Sequence, residues 1–233
     1  MAYLYPCASL GIKKKSRFFV FFFLLFFKAL CKFNSFFSGI IDFANHSDKP
    51  ESFLENLFKK KSIVRVGGWG FFVPDLTKKH RDFFVKEYTL KEEFRADNEL
   101  CIRAEQLKKD GRIVVGIHVR RGDYKTWRGG QFYFEDDVYI AAMNRMLAFL
   151  GDKAFFIVFS NESKLNLPSE LKNRCVFSSE AWYIDQYVMS ECDYLIGPPS
   201  TFTAWASYIG RAQYVHLSKG HDFSLESFSK CFG

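Results

Sequence analysis

Histidine and proline are scarce in this 233-residue chain, at 5 and 6 residues. Its six cysteines, Cys7, Cys31, Cys101, Cys175, Cys192 and Cys231, form no Cys-x-x-Cys pair, and none stands beside a histidine at finger spacing. A zinc finger or ribbon is thereby excluded, and thiols this scattered read as reduced and mostly buried. There is no internal repeat and no low-complexity linker. No apolar run reaches the roughly 20 residues that a membrane span needs. The longest, Phe18 to Phe27, covers ten residues after Lys13, Lys14, Lys15 and Arg17, and Lys28 and Lys32 interrupt its extension. It lacks a clear small-residue cleavage site, so a buried or interfacial element is expected there.

What is present is a foldable composition, 48% hydrophobic and 25% charged. Phenylalanine is abundant, with 29 residues, many of them in the first 40 positions. The net charge of +7 suits an anionic partner: nucleotide phosphates, nucleic acid or an acidic lipid surface. Much of the excess lies in Lys13–Lys15, Lys59–Lys61 and Lys78-Lys79, where solvated helix ends and loops account for it equally well. No nucleic-acid-binding motif is recognisable, so nucleic acid is not an expected partner.

The chain changes character near residue 110. Before it, a polar stretch from Asp42 to Ser62 reads as a loop followed by a short helix around Phe53 to Phe58, and Gly67-Gly68-Trp69-Gly70 marks a turn. Apolar positions at helical spacing predict two helices between Thr77 and Lys109. After it, Ile113–Val119 is a continuous run, largely β-branched, as in a strand buried on both faces. Further strands are expected at 154–159, 175–177, 194–197 and 214–217, with helices at 136–150, 182–191 and 202–209. Strands alternating with helices imply a doubly wound parallel sheet, whose ligands sit at the carboxyl ends of the strands. The domains expected are 1–110 and 111–233.

Three expected loops converge on that rim. The first is His118-Val119-Arg120-Arg121-Gly122-Asp123-Tyr124. A guanidinium matches phosphate oxygens as a planar fork and keeps its charge. Because alternate strand residues face opposite sides, one of Arg120 and Arg121 is expected to bind phosphate and the other to brace the loop. A structural ion pair with Asp123 is the plainer alternative. The second is Gly197-Pro198-Pro199-Ser200-Thr201-Phe202, between a strand and a helix. A helix start offers free N–H groups and a positive dipole end, and Ser200 or Thr201 would cap it. An ordinary cap after a turn is the alternative. The third is Ser160-Asn161-Glu162, polar groups suited to a ribose or base. Asp185 heads the helix at 182–191, where an acid usually serves the helix dipole. Asn45-His46-Ser47 and Asn161-Glu162-Ser163 match the N-glycosylation pattern, which matters only in a secretory compartment.

The stretch H-V-R-R-G-D-Y, His118 to Tyr124, resembles the first motif of the alpha-1,2- and alpha-1,6-fucosyltransferase superfamily, and Asp185 to Ser207 resembles its later motifs. The bacterial alpha-1,2 branch is the most similar, over residues 111–217. The resemblance implies a GT-B fold, with a Rossmann-like C-terminal nucleotide-binding domain beside a smaller N-terminal one. It also implies GDP-fucose as donor, a glycan acceptor, no metal or other cofactor, and inversion at the transferred carbon. By position, Arg121 matches the arginine that holds the β-phosphate, and His118 and Asp123 shape its loop. Ser200, Thr201 and Phe202 match the pyrophosphate loop, and Asp185 a carboxylate near the donor. Asp123 and Asp185 are the candidates for a general base. Met1-Ala2-Tyr3-Leu4-Tyr5 resembles the segment just after a Gly-Asn loop in relatives, so a shortened first domain is expected. An inactive nucleotide- or glycan-binding relative is therefore the second reading. The expected location is a cytosol, with peripheral contact to an inner membrane surface.

Overall fold

The computed structural model describes residues 38–42, 55, 56, 59, 63–67, 74–162, 165–217 and 223–230. The early Phe run, the sequon at 45–47, Trp69, His221 and the cysteines at 7, 31 and 231 lie outside them, as does Ser163. The chain divides into two compact units, one of Ser9–Asp82 and a larger one that holds Phe83–Gly233. In the smaller unit β1 (Ser38–Asp42) pairs in parallel with β2 (Ile63–Gly67), and α1 (Pro74–Lys79) follows. The sequence pattern predicts no strand at either place.

After α2 (Arg81–Tyr88) the larger unit runs through α3 (Glu99–Lys109), β3 (Ile113–Val119), α4 (Asp136–Leu150) and β4 (Ala154–Ser160). It continues with α5 (Ser169–Lys172), β5 (Cys175–Phe177), α6 (Trp182–Glu191), β6 (Tyr194–Gly197), α7 (Thr201–Gly210), β7 (Gln213–His216) and β8 (Ser229–Lys230). The strand order is β5-β4-β3-β6-β7-β8. Neighbours are parallel except for β8, which runs antiparallel beside β7. The sheet is therefore mixed, a correction to the wholly parallel expectation. Two residues of strand are too short for any periodicity to announce.

Both faces of the sheet are covered. Val115, Ile117 and Val119 of β3 pack with Tyr139, Met143 and Met146 of α4. Val114 lies in a second core with Leu100 and Leu107 of α3 and Val188 of α6. This double burial is the physical reason why β3 is apolar throughout rather than alternating. The helices at 136–150 and 182–191 and the strands at 113–119, 175–177 and 194–197 occupy the expected residues. The two helices expected over 77–109 correspond to α2 and α3, with a 3-10 turn at Glu92–Phe94 between them and a fresh helix start after it. Asn98 makes that start, its side chain accepting from the N–H groups of Leu100 and Cys101 at 3.1 Å.

Candidate functional site

From β3 the chain winds outward through β4 to β5, then returns to the other side of β3 as β6. The loops after β3 and β6 therefore leave in opposite directions from adjacent strands. It is at such a reversal, on the carboxyl rim, that doubly wound sheets bind ligands. Gly197, at the end of β6, permits the close approach: a Cβ there would lie 2.8 Å from the His118 carbonyl oxygen.

Side chains tie the two loops together across the reversal. His118 Nδ1 lies 2.8 Å from Thr203 Oγ1 of α7, and its ring centroid is 5.6 Å from that of Phe202. The Tyr124 hydroxyl donates to the Pro199 carbonyl at 2.6 Å. Ser200 is the N-cap of α7, accepting from the Phe202 N–H at 3.2 Å, and Thr201 is its first residue. The imidazole of His118 is buried. Desolvation first, and then the charge of Arg120, push its pKa down to about 4, so it is neutral at physiological pH.

The two arginines part company as strand alternation requires. Arg121 points to the α4 side, where Nη2 pairs with Asp136 Oδ1 at 2.5 Å and its backbone N–H donates to Asn161 Oδ1 at 2.9 Å. Burial alone would raise the Asp136 pKa, but hydrogen bonds from Arg121 and the Asn166 backbone outweigh it and hold the carboxyl below its ordinary range. Arg121 Nε is buried without a partner. Arg120 is more exposed, with 37% of its side chain accessible. It pairs with Asp123 at 2.9 Å, and its guanidinium carbon lies 5.7 Å from the Tyr124 ring centroid. Gly122 makes the turn between them at φ +52°.

Ser160 and Asn161 end β4 on the same rim. The Ser160 hydroxyl accepts from the Glu162 N–H at 3.2 Å. Asp185 stands apart from this cluster. It lies in the first turn of α6 and accepts from the Ser178 hydroxyl at the end of β5. Burial raises its pKa to about 6 against the opposing Ser178 bond. Sequence reasoning missed the partners Asp136, Thr203 and Gln186, whose Nε2 donates to the Phe202 carbonyl at 3.0 Å. Asp136 heads a helix and Thr203 lies in the first turn of another, positions that propensity explains without a site. Among the described residues no group of three or more His, Cys, Asp or Glu side chains is placed to hold a metal, and no helix is long and apolar enough to cross a membrane.

The arrangement offers fixed cations, free helix N–H groups and a neutral imidazole on one rim, which is an anion-binding chemistry. The family model described as glycosyl transferase family 11 matches residues 54–225. The chain belongs to that family. Every candidate site residue falls within the matched span of glycosyl transferase family 11. Curated relatives include galactoside alpha-(1,2)-fucosyltransferase 1 of Lagothrix lagotricha and of Ateles belzebuth, each 26% identical over 153 residues. The same-named protein of Leontopithecus chrysomelas is 25% identical over 154 residues. These alignments cover 59% of this chain and 41% of each relative.

Proposed function

We propose that this member of family 11 transfers fucose from GDP-fucose to a glycan hydroxyl in alpha-1,2 linkage, with inversion and without a metal ion. The larger unit serves as the nucleotide-binding half of a GT-B architecture. The observation that carries this reading is the pair of bonds, His118 to Thr203 and Tyr124 to Pro199, that hold a basic loop against a helix amino end at the strand-order reversal. In the reaction the acceptor oxygen bonds to C1 of fucose from the face opposite the nucleotide. The C1–O bond breaks, and its electron pair leaves with the β-phosphate of GDP. The hydroxyl proton passes to a carboxylate. Asp123, which borders the loop after β3 and pairs with Arg120, and Asp185, whose pKa burial raises to about 6, are the candidates for that carboxylate.

Charge that develops on the departing diphosphate has to be met by preorganised donors, and fixed electrostatics of this kind is often the largest catalytic contribution. The geometry favours exchanging the two arginine roles that the resemblance implies. The accessible Arg120 guanidinium beside Tyr124 supports direct contact with phosphate. The Arg121 pairing with Asp136 and Asn161 supports a bracing role. Calorimetric titration with GDP and GDP-fucose in the presence of EDTA tests this. Wild type binds; Arg120→Ala loses roughly 100-fold or more, the typical scale for one preorganised donor; Arg121→Ala shows a lower melting temperature as well as weaker binding. Unchanged GDP affinity in Arg120→Ala would refute the exchange.

The matched region spans about two-fifths of the length of these curated relatives, and the alternative reading is an inactive binder. Release of GDP from GDP-fucose, with and without an acceptor, separates binder from transferase.

A further inference from the structure

The loop that leaves β3 both departs from Arg121 and returns to it. The Arg121 guanidinium carbon lies 5.9 Å from the Tyr133 ring centroid, and Nη2 is 3.5 Å from the Phe134 carbonyl oxygen. Between these ends the rings of Tyr124, Trp127 and Phe132 follow in series. Their centroids are 4.9 Å and 5.4 Å apart, with planes tilted by 35° and 36°. Tyr124 is buried and fixed on the Pro199 carbonyl, whereas Trp127 is 40% exposed. The Arg128 guanidinium lies over the same indole, so the exposed part of Trp127 and this cation set an apolar surface and a charge side by side, as a charged pyranose requires.

The tip of the loop is unusual in backbone and charge. Arg128, Gly129 and Gly130 have φ of 48°, 68° and 73° in succession. A non-glycine residue in this region is disfavoured, and such strain gathers at ligand-binding segments. A Cβ on Gly130 would lie 2.8 Å from the Lys125 carbonyl oxygen, so the tip is closed tightly. The two cations here, Lys125 and Arg128, lie against rings: Lys125 Nζ is 5.7 Å from the Tyr133 centroid, and Arg128 is 5.1 Å from that of Trp127. Among the described residues neither meets a carboxylate. Both charges therefore remain available for an anion beside the indole, where a charge-assisted hydrogen bond is stronger than a neutral one.

We propose that the loop from Tyr124 to Tyr133 is the acceptor subsite, and that the acceptor carries an anionic group on the sugar seated at Trp127. This rests on the fucosyltransferase reading and names its substrate class: a pyranoside bearing a carboxylate or a phosphate. The Tyr124 bond to Pro199 places this subsite beside the proposed donor crevice. Lys125 and Arg128 bind the anion, Trp127 carries the ring face, and Tyr124 is a positioning residue.

The test is a panel titrated in the presence of saturating GDP and followed by ligand-observed NMR without turnover. It contains methyl β-galactoside, its C6 carboxylate (methyl β-galactosiduronate) and its 6-phosphate. The expected result is that one or both acidic members bind about tenfold more tightly than the neutral one at low salt, a difference of about 1.4 kcal/mol. The carboxylate and phosphate arms distinguish the two sources of charge. Lys125→Ala and Arg128→Ala should each reduce the preference. Trp127→Ala should weaken every member, Trp127→Phe should retain most of the binding, and GDP affinity should not change in either. Equal binding of acidic and neutral members, a preference that survives both cation substitutions, or unaltered binding in Trp127→Ala would each overturn the proposal. Failure of wild type to bind GDP would count against the donor reading instead.

Discussion

His118 and Asp185 respond to acid in opposite senses. The folded chain resists protonating His118 down to about pH 4, whereas an unperturbed histidine takes its proton near 6.5. The unfolded state therefore binds more protons between those values. The His118 contribution to stability is full above 6.5 and is lost as pH falls. Asp185 is the reverse. Its pKa rises from 3.8 to about 6, so the folded state holds a proton that the unfolded state has released. Its contribution is full below 3.8 and is lost as pH rises through 6. Between pH 4 and 6 the two slopes offset each other. Asp185→Asn removes one of them, and melting temperatures of that variant should fall more steeply than wild type as pH drops through this window. Parallel curves for the two proteins would show that the Asp185 carboxyl titrates normally. The sequence around Asp185 does not reveal the raised pKa, because burial is its main cause, with the nearby Glu180 charge adding to it and the Ser178 bond opposing it.

Helices α6 and α7 meet at Gly210, where an added Cβ would run into the Ser190 carbonyl oxygen. The contact is with backbone, so one helix must shift to admit it. Gly210→Ala should cost about 1–3 kcal/mol, the usual scale of overpacking. It should also weaken GDP binding, because the Gln186 bond to the Phe202 carbonyl crosses the same interface. Urea titrations would show a lower midpoint at unchanged slope, and an unchanged midpoint would mean that the helices separate freely. At this scale the sequence was highly legible where one strong signal acts: the run Ile113–Val119, the apolar stripe of 136–150, and a cap at Ser200 or Thr201, of which Ser200 is the one. It was poorly legible where an element owes its existence to a neighbour. β1 and β2 stabilise each other as a parallel pair, and β8 exists only beside β7. The rim loops were found because strand ends announce them. Their cross-links were not, since the bond from Tyr124 to Pro199 spans 75 residues of chain.

At the scale of the whole molecule, the net charge of +7 and the fixed donors of the rim predict that GDP stabilises the folded protein. A ligand at about 100 times its dissociation constant adds about 2.7 kcal/mol. Thermal melts with GDP should show this rise equally with EDTA or with magnesium. A rise confined to the magnesium samples would defeat the metal-independent reading. The loop anchored at both ends on Arg121 has a consequence of another kind. Because it leaves and rejoins the fold at a single side chain, residues at its tip can be exchanged or inserted without moving β3 or the start of α4. Under the proposed function, chains that share this anchor could thus differ in their acceptor while keeping the same nucleotide-binding rim.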